Sequence, residues 1–181
     1  IMALPNALQD HIDRVREISR ELAAVHGIDV ALADVAAAAH DVARHIPPQL
    51  LLKEAELLGL PIKDIERNSP VILHGPVGAC WLRDEGTLEN SDAFEGVYWH
   101  TVAHPDLSLL GQVVLLADKL DPSKRDKFPF QPQVRQAAFH SLSDGLLAFL
   151  DGILRQQLER GELIHPTSFE TRNRLITAAS C

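Results

Sequence analysis

Aromatic residues make up only 5% of this 181-residue chain, with one Tyr and one Met, and its two cysteines, Cys80 and Cys181, lie far apart with no CxxC spacing. That excludes a disulfide framework and a thiolate metal site. Ala and Leu dominate, which points to packed helices, whereas strands would want more Val, Tyr and Thr. Basic residues are outnumbered, leaving a net charge of −8, and this argues against binding to nucleic acid or to an anionic membrane surface. No apolar run approaches the roughly 20 residues of a membrane span, and no signal-peptide pattern is visible, so a cytoplasmic location is expected. No repeat, low-complexity tract or linker divides the chain. With 46% hydrophobic residues, residues 1–181 are expected to form one all-α domain around a substantial core.

Ile12, Val15, Ile18, Leu22 and Val25 recur at helical spacing, predicting a helix from Leu8 to Val25 that stops at Gly27. A second helix is predicted from Val30, capped by Asp29, to about Ile46 before Pro47-Pro48. Leu50–Leu58, Val71–Glu85, Asp92 to about Ala103, Ser108–Leu120 and Ser168–Ala178 follow as helices, with 61–70 and 121–132 as loops. Gln133–Arg160 reads as one long helix, or two broken near Asp144-Gly145.

His40 and Asp41 interrupt the run Val35-Ala36-Ala37-Ala38-Ala39, where two such side chains would be buried at a cost of several kcal/mol unless something pairs with them. A divalent metal is the obvious partner. Asp118 ends another apolar run, Val113 to Ala117, and His11 shares the inward stripe of the first helix. Two imidazoles and two carboxylates suit Fe, Mn, Co, Ni or Zn better than Ca or Mg. His74, followed by Gly-Pro-Val-Gly that suggests a close backbone approach, and His100 could hold a second ion bridged by Asp41, or contact a phosphate and protonate a leaving oxygen. His104 pairs with His100 at helical spacing, but Pro105 removes it from helical geometry. His26, His45, His140 and His165 read as surface or structural histidines.

In order and separation, His11, His40, Asp41 and Asp118 match the H…HD…D signature of the HD-domain metal-dependent phosphohydrolases. The Pro70–Ala79 block, His100-Thr101, Leu116–Pro122 and the tail Pro166–Asn173 resemble the YqeK branch, the symmetrical bis(5'-nucleosyl)-tetraphosphatases of bacteria. The resemblance implies an HD-domain helical bundle, its metal-binding core at about 8–122 and residues 133–178 completing the pocket. It implies an iron-type centre of one or two ions on His11, His40, Asp41 and Asp118. Nucleotide contacts would fall on Arg44, His74, His100, Thr101, Asp118 and a basic residue after Asp121-Pro122. Phe169, Thr171 and Asn173 would border a base or ribose.

Three family motifs are altered. HDxAK ends in Arg44; HTxGxxxMS has Ala103 for its Gly and Leu107 for its Met; and (I/L)EPxR becomes Leu120-Asp121-Pro122-Ser123-Lys124-Arg125. In the last, Lys124 keeps the spacing and Arg125 the residue type, and Arg125 is favoured. The expected reaction is symmetrical hydrolysis of diadenosine tetraphosphate to two ADP, with His74 or His100 stabilising the leaving group. Another HD phosphohydrolase (a nucleotidase, or a cyclic-dinucleotide or alarmone hydrolase) and a non-catalytic nucleotide sensor are the alternatives. The chain leaves a homodimer open.

Overall fold

Leucine and alanine at helical spacing build helices throughout, and the computed structural model, which describes residues 5–179, contains no strand among them. Cys181 lies outside the described residues. The ten α-helices are α1 (Asn6–Val25), α2 (Val30–Ala39), α3 (Pro48–Leu57), α4 (Asp64–Asn68), α5 (His74–Asp84), α6 (Ser91–Trp99), α7 (Leu109–Lys119), α8 (Gln131–His140), α9 (Leu142–Arg160) and α10 (Pro166–Ala179). None of the described helices is long and apolar enough to cross a membrane.

The axis of the bundle is α7, whose residues from Leu110 to Asp118 are all buried. A helix apolar on every side must be surrounded, and α1, α2, α6 and α9 pack around it. Ala33, Ala36 and Ala37 of α2 are fully buried, and their small side chains let α1, α6 and α7 approach closely. One continuous core runs from Val15 to Leu150; a smaller one under α3 and α5 joins Ala43, Leu51, Ala55, Leu73 and Val77.

Helix ends depart from the sequence expectation at informative places. The predicted second helix stops at Ala39 instead of Ile46, because the His40 ring takes the Ala37 carbonyl (2.7 Å) that the Asp41 amide would need in a continuing helix. The chain then descends through tight turns, with the amides of Val42, Arg44 and Ile46 each bonded to the carbonyl three residues back. Segment 61–70 is not all loop: α4 forms there, with the Glu66 carboxylate accepting the Lys63 amide at 2.6 Å. The long C-terminal helix is two, broken at Ser141 and not at Asp144-Gly145. Ser141 is extended and caps the Asp144 amide, whereas Gly145 lies inside α9, where an added Cβ would come within 2.6 Å of Ala138. α6 ends at Trp99, before Ala103, which takes a left-handed φ of 67°; this is the motif position at which glycine was expected, and glycine adopts that conformation without penalty.

The two helices that bring His11 and His40 together are tied by Asp34 of α2, which accepts from Arg16 at 2.8 and 3.0 Å and from Arg20 at 2.6 Å. The Arg16 bonds, opposed by partial burial and helped by Arg20, hold the Asp34 carboxyl below its ordinary 3.8. A depressed carboxyl stabilises the fold fully above its unfolded value and loses that contribution as pH falls through the folded one. Asp34→Asn should therefore lower stability by about 1 kcal/mol at pH 7, and the gap from wild type should narrow as pH falls below 3.8. Urea unfolding at several pH values checks this; an equal gap at pH 7 and in acid contradicts it.

Candidate metal centre

Three histidines share one local device. His40 caps α2, His74 caps the 3₁₀ turn Pro70–Leu73, and His100 caps α6. Each ring turns back on its own backbone: Nδ1–H donates to the carbonyl three residues earlier, Ala37 at 2.7 Å, Val71 at 2.5 Å and Val97 at 2.7 Å. For Ala37 and Val97 this supplies a donor that the end of a helix lacks; Val71 takes the His74 amide as well. His11 reaches the same state differently, with Nδ1 against Asp121 Oδ2 at 2.5 Å. With every Nδ1 committed, four Nε2 atoms are left to face the interior.

They converge with two carboxylates into two groups of three, His11 with His40 and Asp118, and Asp41 with His74 and His100. The first is drawn together by contacts of His11 Nε2 with Asp118 Oδ1 at 3.1 Å and with His40 Nε2 at 3.3 Å. In the second, His74 Nε2 lies 2.9 Å from His100 Nε2 and 2.9 Å from Asp41 Oδ1. Asp41 spans both, because its Oδ2 lies 3.6 Å from His11 Nε2 and from His40 Nε2. Lone pairs aimed at one another repel unless a cation sits among them, so this donor set fits divalent ions. Mixed imidazole and carboxylate ligation suits Fe, Mn, Co, Ni or Zn.

The electrostatics agree. Burial alone would raise the Asp41 carboxyl, but His40, His100 and His74 hold it far below the carboxylate range. Asp118 is depressed against the same burial by Lys119, Lys124, His11 and His40. Burial lowers His100 to about 4, with repulsion from His74 and His40 adding to it. In His40 burial is outweighed by Asp41 and Asp118, and its pKa rises. Three of the four groups with a resolved shift are therefore held in the form that binds a metal: both carboxylates ionised and His100 neutral.

The α5 helix must come close for His74 to reach His100, and Gly75 permits it: a Cβ there would stand 2.9 Å from the Tyr98 carbonyl and 3.2 Å from the His100 ring. The close approach expected after His74 is thus made against α6.

The groups open into a cavity of about 470 Å³ lined by Arg44, Thr101, Lys119, Lys124 and Lys127. Lys124 bonds to Asp118 Oδ1, and Lys119 donates to Oδ2 at 2.6 Å. Of the expected contacts, Arg44, His74, His100, Thr101, Asp118 and Lys124 meet here. Arg125 does not, which corrects the preference given to it. The 3₁₀ turn Pro122–Lys124 aims Lys124 at Asp118, and the next residue projects into a different cavity beside Arg14 and Glu17. Phe169, Thr171 and Asn173 also line no part of the cavity. Thr171 is buried with its hydroxyl donated to the Thr167 carbonyl, and Phe169 and Asn173 are exposed. His104 stacks on Trp99 at 4.6 Å, outside the site.

Sequence reasoning missed Lys119, Lys127 and the supporting role of Asp121. Asp121 is fully buried, takes His11 Nδ1, and accepts from Arg14 at 2.8 Å and from Ser123 at 2.7 Å. Its signal was an acidic residue fixed before Pro122, at the motif's Glu position.

The HD domain family model matches residues 8–123. The chain is 30% identical over 92% of its length, and 87% of the relative's, to a protein of Halalkalibacterium halodurans named "Bis(5'-nucleosyl)-tetraphosphatase, symmetrical". It is 27% identical to a Bacillus subtilis protein of the same name, covering 93% of this chain and 89% of that one. A solved structure from Clostridium acetobutylicum, described as a "predicted HD superfamily hydrolase involved in NAD metabolism", shares the fold with a TM-score of 0.90 at 24% identity, covering 97% of this chain and 92% of that one.

Removing the buried carboxylate behind a metal-binding histidine leaves the ring free to turn. Asp121→Ala should weaken metal binding by roughly 10- to 100-fold, measured by competition with a chelator. Unchanged affinity in the folded variant contradicts the role given to Asp121.

Proposed function

The chain belongs to the HD domain family and is a phosphohydrolase of that family, and on this premise we propose that it cleaves a nucleoside polyphosphate, foremost diadenosine tetraphosphate, symmetrically to two ADP. The observation that carries this reading is one cavity in which two metal-donor triads face Arg44, Lys119, Lys124 and Lys127, in a chain of net charge −8. Cations gathered against the overall charge suit a polyanion. The names of the two relatives support the same substrate class.

We assign one divalent ion to His11, His40 and Asp118 and a second to Asp41, His74 and His100, with iron first among the metals. Such ions, when bound, would supply Lewis acidity and bring a water's pKa from about 15.7 towards roughly 7. The protein's part is to place a phosphate against them. Lys124 and Lys119, tethered by Asp118, face the phosphate oxygens and offset charge that grows as the phosphorus is attacked. Arg44 has no ion-pair partner among the described residues, and its planar fork suits two oxygens of one phosphate. His74 and His100 turn Nε2 towards Asp41, so their contribution is to hold the centre, and the lysines stabilise the leaving diphosphate. Cleavage at an inner phosphorus requires the two nucleosides to extend from the centre in different directions.

Purified metal-loaded protein should convert diadenosine tetraphosphate to ADP alone, and Lys124→Met should reduce kcat/KM by about 100-fold. Chromatography of the products decides: ATP with AMP, or no phosphate cleavage, contradicts the proposal.

A further inference from the structure

Asp118 presents its two oxygens to different partners. Oδ1 is the oxygen the histidines face, 3.1 Å from His11 Nε2 and 3.6 Å from His40 Nε2. Lys119 holds the other, Oδ2, at 2.6 Å. Lys124 takes Oδ1 itself, and the same ammonium stands 3.5 Å from His11 Nε2. It therefore offers its protons to two of the three residues of the first metal group, at the lone pairs they would turn to an ion.

The surroundings fix the lysine's backbone and leave its stem free. Asp121 accepts the Ser123 amide at 3.0 Å through its side chain and the Lys124 amide at 2.9 Å through its carbonyl, which sets the 3₁₀ turn, and the same carboxylate anchors His11 Nδ1. The Lys124 side chain is one quarter exposed and lines the cavity with Arg44 and Lys127, so a second position, turned to the cavity, is open to it. At His11 Nε2 the other neighbours, Asp118, Asp41 and His40, bring lone pairs. An ammonium or a divalent ion relieves that repulsion, but the two compete. A metal bonds such nitrogen and oxygen donors at about 2.0–2.2 Å, and two cations drawn to one buried carboxylate oxygen repel where little water screens them.

We propose that Lys124 is a built-in competitor of the first metal ion: its ammonium rests on Asp118 Oδ1 and His11 Nε2 until a divalent ion displaces it, and the released side chain then carries its charge to a phosphate in the cavity. This rests on the ion assigned above to His11, His40 and Asp118, and its test does not depend on the substrate. Lys124 keeps its proton throughout. The exchange orders the site, because the cation that a phosphate meets is set free by the ion. By linkage, a phosphate that captures Lys124 also favours the ion.

Mn²⁺ binding to chelator-treated protein, followed by the electron paramagnetic resonance of the free ion, tests it. An ammonium that holds the group about nine-tenths of the time weakens the apparent affinity about tenfold, so Lys124→Met and Lys124→Gln should each bind one of the two ions about tenfold tighter than wild type. The ion at Asp41, His74 and His100 should change little. Lys119→Met removes an equal charge from the same carboxylate but leaves Lys124 on Oδ1, and should tighten binding far less. Each variant leaves Asp118 one lysine partner, so the buried carboxylate is not orphaned. Tighter metal binding together with the slower turnover expected of Lys124→Met is a combination that a merely structural role would not produce. Unchanged or weaker Mn²⁺ binding in both Lys124 variants, or an equal gain in Lys119→Met, overturns the exchange. Wild type that binds no Mn²⁺ overturns the ion assignment and this inference together; wild type that shows the exchange yet leaves diadenosine tetraphosphate intact loses only the proposed substrate.

Discussion

The centre depends on one hydrogen bond used three times, from a histidine Nδ1 back to the carbonyl three residues earlier at the end of a helical run. In all three it fixes the ring's tautomer, and at His40 and His100 it also satisfies a terminal carbonyl where the helix stops. Because it consumes Nδ1, only Nε2 is left for a ligand, and the direction of Nε2 is set by backbone geometry rather than by a flexible side chain. Asp121 does the same for His11 from outside the helix. Preorganisation of this kind keeps four imidazoles within reach of two carboxylates without relying on the ion to gather them.

The scaffold follows from what those bonds must bring together. Asp118 reaches the interior because α7 is enclosed on every side and ends there. His40 reaches it because alanines on α2 let α1 and α7 close in, and His74 and His100 meet because Gly75 lets α5 pass against the α6 backbone. Two of the three lysines at the cavity, Lys119 and Lys124, are held by Asp118 itself, so one carboxylate serves both the metal group and the cationic face that a phosphate would meet.

Much of this was legible in the sequence for physical reasons. Buried polar residues such as His40, Asp41 and Asp118 stand out in apolar runs because burial without a partner is costly. Helix existence followed from periodicity, and Ser108 and Asp29 cap helices as expected. What could not be read was direction. Lys124 and Arg125 are neighbours of similar charge, and only the turn before them decides which faces Asp118. Lys119 and Lys127 look like ordinary surface charges until the fold closes. The resemblance puts Phe169, Thr171 and Asn173 beside the ligand, but none of the three lines the metal cavity, because α10 starts at Pro166 and leaves Phe169 and Asn173 exposed and the Thr171 hydroxyl bonded to its own helix. The early end of α2 was hidden because no propensity scale records a side chain competing for a backbone carbonyl.

The central claim is that four anchored histidines and two carboxylates form two metal groups sharing Asp41. Anomalous diffraction from crystals of the metal-loaded protein, collected at the absorption edge of the bound metal, tests it most directly. The account predicts two peaks per chain, one bounded by His11, His40 and Asp118 and the other by His74, His100 and Asp41, with every histidine bound through Nε2. A single peak, or a histidine bound through Nδ1, would contradict it.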